Sequence, residues 1–319
     1  MKTIKGIAVL TSLLFSISTL TAQSEIYVAK YKDDANCAIS YTFDDGLVEH
    51  YTLVAPELEK QGFRGTFWVW GKCIGIDSLA QGKPRMTWEQ MKEMADKGHE
   101  ISNHSWSHPN LKRISLEEVK VEVERNDSII FANLGKMPRS FCYPFNAFDS
   151  KVLEIAAKNR VGTRTVQYRM GSSSTPESLD QWVSELIEKG EWGVTMIHGV
   201  SYGYDAFKDP LVFWSHVAKV KGMPAKAWVG TFSEVAAYME ESKNVRLDIA
   251  KDGNSFTITP SLPLDKELYT EPLTMVVKKE GVRNIAAKQD NKELPVKVGA
   301  DKITFSFDPY GGAIQVNLK

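Results

Sequence analysis

His104-Ser105-Trp106-Ser107-His108 sets two imidazoles four positions apart, just ahead of Pro109. A pair at that spacing reaches one metal ion when the local turn faces both rings the same way. Imidazole suits zinc and similar borderline ions. By itself the spacing is a weak signal, and two surface or core histidines are the plainer reading. Pro109 disfavours the helical region for His108, so the pair is expected on a turn. Upstream, residues 37–43 read as a buried strand, with Asp44-Asp45-Gly46 at its C-terminal end. Ligands and catalytic groups collect at such strand ends in α/β folds. Two adjacent carboxylates repel each other and call for a cation or a proton. Together these residues predict an Asp-His-His metal site with one aspartate left over as a base.

The elements that must position these groups alternate along the chain. A helix is expected near 48–60, ended by Gly62 and made doubtful in its middle by Pro56. His50 within it can look towards the site, although a core or surface role fits it better. Residues 64–70 read as a second buried strand and 73–85 as a loop. Thr87 and Gln90 form a capping box for a helix that stops at Gly98, and a short strand at 99–102 leads into the histidine pair. Ser115 and Glu118 cap a helix over 116–133. A strand and loop are expected at 139–145 and strands at 161–167 and 193–199, the last ending in His198, with helices at 150–158 and 178–189. Strands alternating with helices in this rhythm argue for a parallel α/β barrel or sheet.

Composition bounds the remainder. The chain has 319 residues, 43% hydrophobic and 25% charged, with a formal net charge of −1. Nothing in that balance points to a nucleic-acid footprint or a basic membrane patch. Lys2 and Lys5 precede an apolar run ending near Ala22, which reads as a signal peptide over 1–22. The run is short for a membrane span, so the mature chain is expected to be exported with no integral membrane segment. Cleavage leaves 37 basic against 40 acidic residues, a net −3. Cys37, Cys73 and Cys142 allow one disulfide at most, and buried free thiols are expected. All eight Trp, six His and three Cys lie before residue 241. Residues 244–319 instead alternate in short runs, a small antiparallel β domain of unknown role. Residues 23–243, which carry every candidate site residue, are expected to form a separate domain ahead of it.

Thr42-Phe43-Asp44-Asp45-Gly46, His104-Ser105-Trp106-Ser107-His108 and Met196-Ile197-His198 resemble the first, second and fifth motifs of the polysaccharide deacetylases. These are the NodB-homology enzymes of carbohydrate esterase family 4. The resemblance spans residues 37–240 and implies a distorted (β/α) barrel and metal-dependent removal of acetyl groups from N-acetylated sugars. It implies that Asp45, His104 and His108 hold one divalent ion of the zinc type, that Asp44 is the general base and that His198 is the general acid. It gives the Phe145 backbone N–H to the oxyanion. Trp106, Tyr143 and Met196, inside the same motifs, and Arg164 beyond them are the candidate substrate contacts.

Two departures stand out. The third motif usually reads Arg-x-Pro-aromatic, with the Arg paired to the base. Here Cys142-Tyr143-Pro144-Phe145 puts Cys142 where that Arg belongs, and Arg164 on a neighbouring strand could supply the guanidinium. The fourth motif has no clear match beyond Asp180-Gln181-Trp182. Cleavage of an acetate ester is a second reading, and a glycan-binding protein on a catalytically weakened scaffold is a third. The expected partner is an acetylated glycan.

Overall fold

The computed structural model describes residues 25–74, 84–278 and 285–318. The stretch expected to be a signal peptide, 1–22, and most of the 73–85 loop lie outside the described residues. In chain order the strands and helices up to residue 244 are β1 (Glu25–Val28), β2 (Cys37–Ser40), β3 (Thr42–Asp44), α1 (Ala55–Lys60), β4 (Thr66–Val69), α2 (Trp88–Asp96), β5 (Glu100–Asn103), α3 (Leu116–Leu134), β6 (Ser140–Cys142), α4 (Ser150–Ala157), β7 (Gly162–Arg164), β8 (Tyr168–Arg169), α5 (Pro176–Lys189), β9 (Trp192–Met196), α6 (Pro210–Lys221), β10 (Ala227–Val229) and α7 (Phe232–Asn244).

β2 and β3 are one path interrupted at Tyr41. β2 lies between β10 and β9, while β3 leads into the run β4-β5-β6-β7. A parallel bridge between Phe43 and Ile197 carries β9 along the other side of β3. The result is a parallel barrel, distorted and open at a seam: among the described residues no pairing joins β7 to β8. β2 and β4 are buried at every position, as expected for strands covered on both faces. Capping boxes at Thr87 and Ser115 start α2 and α3, and Gly135 and Gly190 end α3 and α5 at positive φ.

The 48–60 region departs from a plain helix. Residues His50–Val54 are π-helical, and α1 starts afterwards with Pro56 in its first turn. There the missing N–H and fixed φ of proline cost nothing, so the wide turn moves the start of regular helix to a place proline tolerates. α6 and α7, and the short β8 and β10, were not expected from the sequence.

The C-terminal part adds β11 (Arg246–Asp252), β12 (Ser255–Ser261), β13 (Leu273–Lys278), β14 (Ile285–Gln289), β15 (Lys292–Leu294), β16 (Val296–Val298), β17 (Lys302–Phe307) and β18 (Ile314–Leu318). They form two antiparallel sheets, β1-β13-β17-β16 and β11-β12-β18-β14-β15. Phe256, Ile258, Met275, Phe305 and Val316 are among the residues of their shared core. β1 corrects the linear division at residue 244. Although it precedes the barrel in sequence, it pairs antiparallel with β13 from Glu25↔Lys278 to Val28↔Met275. Tyr238 of α7 also packs into the sandwich core, and its hydroxyl donates to the Ala29 carbonyl. Arg139, just before β6, donates to Glu271 at 3.0 Å and to the Leu268 carbonyl at 2.9 Å. The sandwich is thus pinned at the N-terminal ends of the barrel strands.

Candidate active site

β3 ends on Asp44, whose amide donates to the Ile197 carbonyl at 2.7 Å. Because Phe43 faces Ile197 in register, the next residues, Asp44 and His198, fall side by side at the C-terminal ends of β3 and β9. The chain then turns through Asp45 (φ 78) and Gly46 (φ 65). A side chain at residue 46 would start 3.2 Å from Val69 Cγ1, so both φ and space favour glycine. The turn is clamped from outside: Arg85 Nη1 donates to the Asp45 carbonyl at 2.7 Å and the Met86 amide to that of Gly46 at 2.9 Å.

The histidine pair follows β5 on a turn. Ser105 and His108 both have positive φ. Asn103 Oδ1 accepts from the Ser105 amide at 2.7 Å and is held by Asn126 Nδ2 at 2.9 Å. Ser105 Oγ accepts from the His108 amide at 3.0 Å. These bonds offset the cost of left-handed backbone at two non-glycine positions. His104 Nδ1–H donates to the Cys142 carbonyl at 2.8 Å, which fixes the tautomer and leaves the Nε2 lone pair free.

His108 Nε2 lies 3.5 Å and His104 Nε2 3.9 Å from Asp45 Oδ1. That oxygen is buried and accepts no hydrogen bond. Ligands about 2.1 Å from a tetrahedral zinc stand roughly 3.4 Å apart, so the three donors fit one ion with little adjustment. Burial pushes His104 down to about 4, and His108 is lowered mainly by burial too. Both rings are therefore neutral at neutral pH, the form that binds metal.

Arg164 occupies the place behind Asp44. It pairs across strands with Cys142 in the β6–β7 register, so its side chain enters one strand over from the motif position. Nη1 donates to Asp44 Oδ1 at 2.7 Å and Nη2 to Oδ2 at 2.5 Å, with a further bond from Nη1 to Thr42 Oγ1 at 2.9 Å. Asp44 is 3% and Arg164 2% exposed. Burial alone would raise the Asp44 carboxyl, but the Arg164 charge and its paired bonds outweigh this and hold it at about 2. Cys142 Sγ stands 4.0 Å from Asp44 Oδ2, its thiol pushed well up by burial. Arg164 supports the carboxylate from beneath and is not available to substrate, a correction to its reading as a substrate contact.

His198 faces Tyr204, with ring centroids 4.9 Å apart. Its backbone is held by His50, which the sequence placed near the site without a role, and by Glu49, which no sequence pattern marked. His50 Nε2–H donates to the His198 carbonyl at 2.6 Å. The buried Glu49 carboxylate accepts from the Val200 amide at 2.5 Å, the Ser201 amide at 3.2 Å and the Ser201 hydroxyl. Phe145 has φ 58, is 66% exposed and packs its ring edge-on against His108 at 4.8 Å. Tyr143 is corrected: it is 1% exposed, stacked on Phe148 and bonded to Thr163, so it belongs to the core behind α4. Trp106 lies under the Arg125 guanidinium at 4.0 Å, against Gly71. Met196 is half-buried beside Asn146.

Residues 32–164 match the family model described as polysaccharide deacetylase. Over those residues, less than half of its length, the chain is similar to that family. It is similar to the putative polysaccharide deacetylase YxkH of Bacillus subtilis, 28% identical over 53% of this chain and 57% of the relative. It is also similar to the peptidoglycan-N-acetylmuramic acid deacetylase PdaA of the same species, 25% identical over 72% of this chain and 73% of the relative. Among solved structures it resembles the peptidoglycan deacetylase PdaC of Bacillus subtilis, at 21% identity and a TM-score of 0.45 over 65% of this chain and 91% of that one. The chain spans less than two thirds of several relatives, 33% of the B. subtilis protein YlxY among them.

Proposed function

We propose that this chain is a metal-dependent hydrolase that removes acetyl groups from an N-acetylated glycan. The observation that supports this best is the buried, donor-free Asp45 Oδ1 turned towards two neutral imidazoles, next to a carboxylate that Arg164 keeps ionised. Asp45, His104 and His108 would hold one divalent ion, with zinc the best match to two nitrogens and an oxygen. When bound, such an ion supplies a Lewis acid and makes water nucleophilic at neutral pH.

The remaining work falls to the chain. With its pKa at about 2, Asp44 is in its basic form throughout the working range. Each of its oxygens keeps a lone pair beyond the bond to Arg164, so Asp44 can accept a hydrogen bond from the attacking water and aim it. The Phe145 N–H is the candidate donor to the developing oxyanion. His198, beside Asp44, would protonate the leaving nitrogen. Ester cleavage uses the same groups, without the same need for that last proton. The binding-scaffold reading rested on the lost Arg at position 142, and the Arg164–Asp44 pair weakens that ground.

Acetate release from a panel of N- and O-acetylated oligosaccharides, with and without chelator, tests the proposal. Release from an N-acetylated member that stops with chelator and returns with zinc is expected. No release from any member would leave glycan binding as the better reading. Export is proposed from the lysine-led apolar run. A mature chain beginning near Gln23 is the expected mass-spectrometric result, and an intact N-terminus on exported protein would refute it.

A further inference from the structure

We propose that the C-terminal sandwich carries a second saccharide-binding site, apart from the metal site, that anchors a glycan strand. The choice of an acetamido-sugar strand as ligand rests on the deacetylase reading above; the existence of the cleft does not. A cavity of about 640 Å³ opens at one end of the sandwich. That volume is within the range of about 300–1,000 Å³ typical of small-molecule sites. Three connections meet there: residues 262–272 between β12 and β13, the turn at 290–291 between β14 and β15, and residues 308–313 between β17 and β18.

The walls are preformed. The buried Gln289 side chain donates to the carbonyls of Asp308 at 2.8 Å and Gly312 at 3.1 Å, and accepts from the Asp308 amide at 2.9 Å. Asp290 accepts from the Gly312 amide at 3.2 Å. Tyr310 donates its hydroxyl to the Leu264 carbonyl at 3.3 Å, which fixes its ring on the cleft. A β-carbon at Gly311 would meet Gln289 Nε2 at 2.6 Å, so the loops touch backbone to side chain. A ligand entering such a cleft orders little.

The lining suits a polyhydroxylated ligand. Tyr269 and Tyr310 offer half-buried rings for the apolar faces of pyranoses. Lys266 and Lys292 are exposed donors with no carboxylate partner among the described residues, whereas nearby Lys288 pairs with Glu293. Asp308 Oδ1 accepts from the Tyr310 amide, leaving Oδ2 as an acceptor. Donors and acceptors of both signs around fixed rings match hydroxyl and acetamido groups better than a fully apolar or a singly charged ligand. The wall at 262–272 is pinned by Arg139 to the barrel end opposite the metal ligands. A long strand held there raises the local concentration of substrate without entering the reaction.

The test uses the full chain, chelator-treated, titrated with chitotetraose and with a peptidoglycan-derived tetrasaccharide, in wild type and in Tyr269→Ala/Lys292→Ala. Neither residue bonds across the loops, and unchanged circular dichroism and melting would show the variant is folded. At least one tetrasaccharide should bind wild type, with affinity about tenfold weaker in the variant. Its KM on polymeric glycan should rise while kcat and KM on a soluble disaccharide stay put. Binding that is absent from wild type, or equal in both proteins, overturns the site. If cleft binding holds while no acetate is released from any glycan, only the deacetylase reading fails.

Discussion

The Arg164–Asp44 pair gives a prediction that needs no metal. Arg164→Met removes the guanidinium and leaves a carboxylate 3% exposed, with its two charged donors gone. Breaking a buried pair by deleting one partner typically costs about 3–5 kcal/mol. The wild-type pair gives an independent scale. Asp44 falls from 3.8 to about 2, which corresponds to roughly 2–3 kcal/mol in favour of the ionised folded form. A depressed carboxyl contributes stability above its unfolded pKa and loses it as pH falls through its folded pKa, here between about 4 and 2. In Arg164→Met the sign reverses. Burial is then the dominant influence and raises Asp44, so its penalty is full at neutral pH and is relieved as acid protonates it. The assay is urea unfolding of both proteins in chelator between pH 7 and pH 4. The expected gap is about 3–5 kcal/mol at pH 7, narrowing steadily towards pH 4, and largely abolished by adding Asp44→Asn to the variant. A gap below about 1 kcal/mol, or one that does not change with pH, would refute the claim that this guanidinium compensates Asp44.

Other outcomes follow from the same geometry. His104→Ala should lose most bound metal by elemental analysis, since two remaining ligands rarely hold a transition ion; unchanged content would remove His104 from the site. Glu49→Gln weakens the hold on residues 200 and 201 and should lower kcat on the order of tenfold to a hundredfold at unchanged metal content. An unaltered kcat would show that this loop does not aim His198. A chain ending at residue 244 should keep its metal stoichiometry, because every candidate ligand lies in the barrel, but should melt lower, because β1 and Tyr238 lose their partners. Loss of metal in a soluble truncated protein would show that the barrel depends on the sandwich for its site.

The sequence by itself determined the parts whose signals are local. Capping boxes at Thr87 and Ser115 depend on residues three apart, and they start α2 and α3 where the pattern put them. The Asp-Asp and His-x-x-x-His spacings are likewise local, so the candidate ligands could be named before any fold was known. Alternating text after residue 244 was enough for an antiparallel domain, because side-chain period alone separates a half-exposed strand from a helix. Tertiary structure decided what depends on which strand lies beside which. Nothing in the text of residues 140–164 says that Cys142 and Arg164 share a register, yet that pairing decides which cation meets Asp44. Tyr143 sits in a motif but faces the core, because alternate residues of an extended segment point to opposite sides. Glu49 and His50 act on a loop about 150 residues away, and a contact of that separation leaves no trace in either stretch. β1 belongs to a sheet whose other strands begin at residue 273, since a strand pairs with whatever edge the folded chain brings to it and not with its neighbour in sequence.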